Sequence, residues 1–398
     1  MLRLNDGVYP VSGKAKDCLY DLKRRRLWQI GKDTAALIRR CVTEPDAVFS
    51  PAEHAVTGRL KDAELLTEGT GRIPDIRELR RPSVIRSAWI EVCTVCNLRC
   101  IHCYNGEQPA RFMPVQDFQQ VCEKLSAYGI QQVQLIGGEP FCHPDIMQIT
   151  ETASGAFSGV ELFTNGTLLT EAHCTRLKAL GIQAALSVYS YQDAMHDAVT
   201  GIAGSHGKTE QAIAMLTAAD IPHRIAPIRM KGIRIGEQGE KTYRLSGADT
   251  VRMSGRGSLS LLDAELLRGK LITRETFRRP PDPEKVIAAV SGNPCFARKI
   301  YVASDLTVYP CVMERRMQHG SLREKALAEV LSPAVMQMNK DTVSGCRDCE
   351  FRYACTDCRP DSLCDAPDAK PYFCTYDEQR GVWLDPDAVI GKLLKQSE

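Results

Sequence analysis

The chain has 398 residues, 43% hydrophobic and 25% charged, with a formal net charge of +2. That length leaves room for two or three domains with real cores. The balanced charge gives no footing for wholesale nucleic-acid binding, and the lack of any run of about 18 apolar residues argues against a membrane span. No signal segment opens the chain, so a cytoplasmic protein is expected. Seventeen cysteines in such a chain point to bound metal rather than disulfides.

The first 80 residues predict three short strands, at 8–11, 18–22 and 27–30. A helix over 33–40 follows, then a second over about 50–66, opened by Ser50-Pro51. Gly69-Thr70-Gly71 and the basic run 77–82 read as a linker. The Lys23–Arg26 run is expected at a solvated hairpin tip, with attraction of an acidic partner as the alternative.

From 87 to about 253, short apolar strands alternate with amphipathic helices. Strands are predicted at 87–92, 131–136, 159–164, 182–188, 223–229 and 249–253. In 115–128, Phe118, Val121, Cys122 and Leu125 recur at helical spacing and Gly129 is placed to cap the helix. Alternation of this kind predicts a parallel sheet with right-handed crossovers, here a partial (β/α)6 TIM-like barrel. Barrel sites gather where strands end, and unusual residues do follow each strand. Cys96, Cys100 and Cys103 follow the first, Gly137-Gly138-Glu139-Pro140 the second and Thr164-Asn165-Gly166 the third. Ser187 ends the fourth strand and Ser254-Gly255-Arg256-Gly257 comes after the sixth. At this cysteine content the C-x3-C-x2-C spacing arises by chance about 0.03 times per chain. Three cysteines on one loop suit a four-iron cluster with one open iron; a zinc site or buried thiols are the bland alternatives.

The last third carries a second cysteine field. Cys295 and Cys311 flank a strand-like stretch that runs from Ile300-Tyr301-Val302 to Thr307-Val308-Tyr309-Pro310. C-R-D-C-E-F-R-Y-A-C-T-D-C supplies Cys346, Cys349, Cys355 and Cys358, and Cys374 comes last. Two C-x2-C pairs alone would also make a four-cysteine zinc knuckle.

The first cysteine run, with His102 and Tyr104 around its last member, resembles the signature of the radical S-adenosylmethionine (radical SAM) superfamily. The resemblance implies a [4Fe-4S] cluster on Cys96, Cys100 and Cys103 that chelates S-adenosylmethionine through its open iron. It places His102 and Tyr104 near the adenine and Gly137, Gly138 and Glu139 near the methionine amino group. Thr164, Asn165 and Ser187 complete the expected contacts, with Arg256 as a clamp on the carboxylate. An electron from a flavodoxin or ferredoxin would release methionine and a 5′-deoxyadenosyl radical, which takes a hydrogen atom from an unactivated carbon.

The C-terminal field resembles the SPASM extension, which implies two auxiliary [4Fe-4S] clusters, three in all. Carried over, the outer one uses Cys346, Cys349, Cys355 and Cys374, and the inner one Cys295, Cys311 and Cys358. Two features depart from the family: Asp305-Leu306 stands where a glycine is usual, and the dense run ends with two intervening residues instead of three. The inner cluster's fourth position is left to Cys364, a substrate thiol or water. The N-terminal pattern resembles the winged-helix element that binds leader peptides of ribosomally made, modified peptides. The expected organisation is therefore a recognition domain (1–80), a radical SAM partial barrel (84–270) and a SPASM domain (271–398).

Together these features look closest to SPASM peptide maturases paired with ATP-grasp enzymes, which implies crosslinking of a precursor peptide by a thioether or carbon–carbon bond. A formylglycine-forming sulfatase-maturing enzyme is the alternative on the same scaffold, and a zinc or electron-transfer protein the alternative without catalysis. Many relatives have S-L-D-G after the fourth strand, where this chain has Ser187-Val188-Tyr189-Ser190. The catalytic base is left unassigned, with Asp193 and His196 as candidates.

Overall fold

The computed structural model describes residues 1–44, 46–247, 249–253 and 259–396. Arg256 therefore lies outside the described residues. The chain opens with β1 (Leu2–Leu4), β2 (Val8–Ser12), β3 (Asp17–Asp21), β4 (Arg26–Ile30), α1 (Lys32–Thr43), α2 (Pro51–Asp62) and β5 (Leu66–Glu68). Strands β2, β3 and β4 form an antiparallel sheet with β3 central, and β1 pairs with β5. Ser50 and Glu53 close a capping box at the start of α2, with Pro51 at its first position. That arrangement satisfies two backbone donors a helix start otherwise leaves bare.

The central region runs β6 (Ser87–Cys93), α3 (Val115–Tyr128), β7 (Gln132–Gly137), α4 (Ile146–Ala156), β8 (Gly159–Thr164), α5 (Glu171–Ala179), β9 (Gln183–Ser187), α6 (Asp193–Thr200), α7 (Ser205–Ala218) and β10 (His223–Ala226). All five strands are parallel, in the order β10-β9-β8-β7-β6. Phe118, Val121, Cys122 and Leu125 of α3 are buried against the sheet, and Gly129 ends the helix at φ 100°, a backbone region open to glycine at little cost. The layers form a partial TIM-like barrel.

The predicted strand over 223–229 breaks at Pro227, which has no N–H to give the ladder. The chain resumes as β11 (Ile228–Arg229), which pairs in parallel with β12 (Asp249–Thr250), all that forms of the predicted sixth strand. The opposite edge is extended instead. After α8 (Ala264–Lys270) and α9 (Pro283–Ser291), β13 (Lys299–Val302) pairs in parallel with β6, and β14 (Thr307–Tyr309) and β15 (Gly320–Ser321) follow antiparallel. Part of the C-terminal segment thus belongs to the barrel sheet, which has eight strands.

The remaining C-terminal chain is mostly loops around the cysteines, closed by a small hairpin of β16 (Tyr376–Asp377) and β17 (Val382–Trp383) and a helix over Pro386–Lys395. The N-terminal sheet packs on it. Val11, Tyr20 and Leu22 share a buried cluster with Val286, Val290, Phe351, Tyr353 and Tyr376. Tyr20 Oη donates to the Glu350 carbonyl at 3.0 Å and accepts from the Ala354 N–H at 3.3 Å. The backbones touch as well: a Cβ on Gly13 would lie 2.8 Å from the Glu350 nitrogen.

Candidate cofactor sites

The cysteine loop leaves the carboxyl end of β6 and is pinned to the end of α6, with Arg99 N donating to Thr200 O at 2.8 Å and Ile101 N to Val199 O at 3.0 Å. Cys100 has Cys96 and Cys103 as electrostatic neighbours. Burial pushes the Cys96 thiol up to about 11 and that of Cys100 to about 12. Binding iron as thiolates would offset that cost, because coordination deprotonates the sulfur. The Tyr189 hydroxyl has the Cys100 sulfur and Ser187 as neighbours.

His102 stands edge-on to Tyr189, ring centroids 4.9 Å apart. Burial drives its pKa down to about 4, so the imidazole is neutral. Its Nδ1 and the Asn105 Oδ1 are buried with no hydrogen-bond partner among the described residues. Buried polar atoms are seldom left unpaired, and two orphans beside the thiols fit a polar cofactor there. Tyr104 is on the other side of the loop, with Glu91, Cys103, Arg315 and Cys311 as neighbours.

Gly137 and Gly138 are needed for packing. A Cβ on Gly137 would sit 2.3 Å from the Cys93 carbonyl oxygen, and one on Gly138 2.3 Å from that of Val95. Glu139 is fully buried and accepts from Thr164 Oγ1 at 2.7 Å, Asn165 N at 2.7 Å and Phe141 N at 3.1 Å. Burial pushes its pKa up to about 7, against the pull of those three bonds. Asn165 reaches across to the cysteine loop, its Nδ2 donating to Asn97 Oδ1 at 2.9 Å. Cys96, Cys100, Cys103, His102, Gly138, Glu139, Thr164, Asn165 and Ser187 thus lie along the strand ends, linked in part through Asn97, Val95 and Tyr189. Asp193 and His196 belong instead to a cluster between α6 and α7. Asp193 pairs with His206 at 2.5 Å, and His196 Nδ1 accepts from the Tyr189 N–H at 3.3 Å. Gly138→Ala is expected to displace the loop, cost roughly 1–3 kcal/mol and lower iron uptake; thermal melting and iron assay check it.

Below the rim the barrel interior mixes aromatic and apolar side chains with charged ones. The register sets Trp89, Gln134 and Glu161 side by side. Lys299 lies over the Trp89 ring at 4.3 Å and Arg224 over Phe163 at 4.7 Å. Above them Glu91, 2% exposed, accepts from Tyr301 Oη and from Ser304 N at 3.1 Å. Arg315 stacks on Tyr301 at 4.1 Å and donates to its hydroxyl at 2.5 Å. Glu91, Tyr189 and Arg315 have no motif around them. A carboxylate in the apolar strand Ala88–Val92 is the one such signal the sequence offers.

In the C-terminal field, Cys346, Cys349, Cys355 and Cys374 line a single cavity together with Lys340, Lys370 and Trp383. Four convergent thiols and buried cations suit a thiolate-ligated, anionic cluster. Cys311 has Cys295 and Arg252 among its electrostatic neighbours, and Cys358 has Arg252 and Cys311. Cys364 is exposed, its thiol directed to the Ala366 carbonyl at 3.8 Å and its own carbonyl taken by Arg316 at 2.9 Å.

Residues 90–237 match the Radical SAM superfamily, a match that implies S-adenosylmethionine and a [4Fe-4S] cluster for that stretch. The AdoMet-dependent heme synthase of Methanosarcina barkeri is 32% identical over 163 residues, 40% of this chain and 46% of that protein. AlbA, a subtilosin biosynthesis protein of Bacillus subtilis, is 30% identical over 35% of this chain and 32% of its own. The chain thus spans less than half the length of either. The sporulation killing factor maturation protein SkfB of Bacillus subtilis is 27% identical over 66% of this chain and 68% of that one. Among solved structures, Streptococcus suis SuiB shares the fold over 93% of this chain and 99% of its own, with TM-score 0.53 and 13% identity. For anSMEcpe the values are 78%, 96%, 0.53 and 15%. No helix among the described residues is long and apolar enough to cross a membrane.

Proposed function

We propose that the protein is a radical SAM peptide maturase of the cytoplasm, acting on a ribosomally made precursor to install a thioether or carbon–carbon crosslink or a related oxidation. AlbA and SkfB are named for peptide biosynthesis and maturation, and SuiB has been solved with its precursor peptide SuiA. The observation that carries the peptide reading is a groove of about 640 Å³ along β4. Strand β4 is the edge of its sheet, so its outer backbone groups are free to pair with an extended chain. Arg25, Arg26 and Arg278 make the groove basic, and Trp28, Phe277 and Trp383 give it apolar surface. An acidic leader fits that combination. The formylglycine alternative has no use for this groove.

A bound S-adenosylmethionine–cluster pair supplies a carbon-centred oxidant that removes a hydrogen atom from the substrate. The chain's own residues do the rest. Tyr189 lies beside the Cys100 sulfur, and His102 with the Gly137-Gly138 backbone would hold the cofactor there. Glu91, Tyr301 and Arg315 fix one wall of the lumen where the peptide would be held away from water. Cys346, Cys349, Cys355 and Cys374 at one C-terminal site, and Cys295, Cys311 and Cys358 at the other, would hold clusters able to accept an electron. The partners are the precursor, a one-electron reductant such as flavodoxin or ferredoxin, and an ATP-grasp enzyme.

Coexpression with each small open reading frame encoded beside the gene, followed by mass spectrometry, tests this reading. One peptide is expected to lose two hydrogens. Unchanged masses for every candidate would overturn it.

A further inference from the structure

The outer cavity holds a charge that its own neighbours do not balance. Lys340 lies outside the dense cysteine run, yet its side chain is only 8% exposed. Its Nζ is 2.5 Å from Asp357 Oδ1 and 3.8 Å from the Cys355 sulfur. Asp357, 2% exposed, is also gripped by the buried Arg359, whose guanidinium donates to the Ala369 carbonyl at 2.8 Å. Two cations therefore share one carboxylate and leave one positive charge in a desolvated place. The second lysine at the cavity, Lys370, differs: Glu378 neutralises it and its ammonium also donates a hydrogen bond to the Tyr376 carbonyl at 2.5 Å. A buried charge without its own partner is costly. The groups able to balance Lys340 are the thiolates around it.

We propose that Lys340 is a positioning residue for the outer site, donating a hydrogen bond to the Cys355 thiolate and raising the reduction potential of the cluster bound there. The assignment rests on reading Cys346, Cys349, Cys355 and Cys374 as cluster ligands. Four thiolates give the cluster a net negative charge, and reduction adds another. A cation at the sulfur stabilises the reduced form more than the oxidised one. Net charge and hydrogen bonds to sulfur are the levers that set such potentials.

The test is a potentiometric titration of the reconstituted holoenzyme, followed by electron paramagnetic resonance. Added S-adenosylmethionine marks the signal of the loop cluster, which leaves the two auxiliary ones to be followed. Lys340→Met keeps the length and removes the charge. It is expected to move one auxiliary wave to lower potential by at least tenfold in the reduced-to-oxidised ratio, about 59 mV, leaving the other two in place. Asp357→Asn removes the counter-charge and is expected to move the same wave the opposite way, while Lys340→Arg stays near wild type. A packing role would not produce opposite signs. Full iron content with unmoved waves in both charge variants overturns the assignment alone. Loss of the outer irons in all three variants also overturns it, since the lysine is then a structural element. Wild-type protein that binds no outer cluster overturns the ligand reading and this assignment with it.

Discussion

Replacing Cys100 with alanine is expected to reduce 5′-deoxyadenosine formation to background and iron content from about twelve to about eight atoms per chain. Loss of an outer-shell partner at a metal site costs ~10–100-fold, and loss of a direct ligand should exceed that. The fold should survive, because the loop is held by backbone bonds from Arg99 and Ile101 to the end of α6 and not by the sulfur. Iron assay, chromatography of the nucleoside product and a thermal melt distinguish a lost site from a lost fold.

Cys355→Ala should do the reverse. The outer cavity is lined by Ile272, Phe277 and residues between 340 and 383, apart from the cysteine loop after β6. Cleavage of S-adenosylmethionine is expected to continue while modified peptide falls to background, with about four irons lost. A second effect follows from the packing. Ala354 N donates to Tyr20 Oη, and Phe351, Tyr353 and Tyr376 form the floor under the N-terminal sheet. Loosening the cavity should loosen that sheet's seat and speed limited proteolysis within 69–82. Equal cleavage rates in the variant and the wild type would separate the cavity from the N-terminal interface.

Much of the barrel is legible locally, because β6 to β10 and α3 show their burial periods within one element and Gly129 marks its own cap. The join between β13 and β6 is not. It pairs residues more than 200 positions apart, and a short apolar strand does not reveal which edge it will meet. The split at Pro227 follows from a missing N–H that the apolar pattern of 223–229 hides. At the site, residue type and spacing identify the cysteines, the glycine pair and the strand-end Thr164 and Asn165. Spacing does not show that Glu139 turns inward to brace Thr164 and Asn165, nor that the tyrosine following Ser187-Val188 packs against His102. Lys340 and Glu91 are invisible for a different reason: their importance comes from burial beside partners distant in sequence, Asp357 in one case and Tyr301 in the other.

The most direct test is anaerobic reconstitution of the purified chain with iron and sulfide, followed by reduction in the presence of S-adenosylmethionine. About twelve irons per chain and production of 5′-deoxyadenosine are expected. Stoichiometric zinc at the cysteines, with no 5′-deoxyadenosine after reduction, would contradict the account.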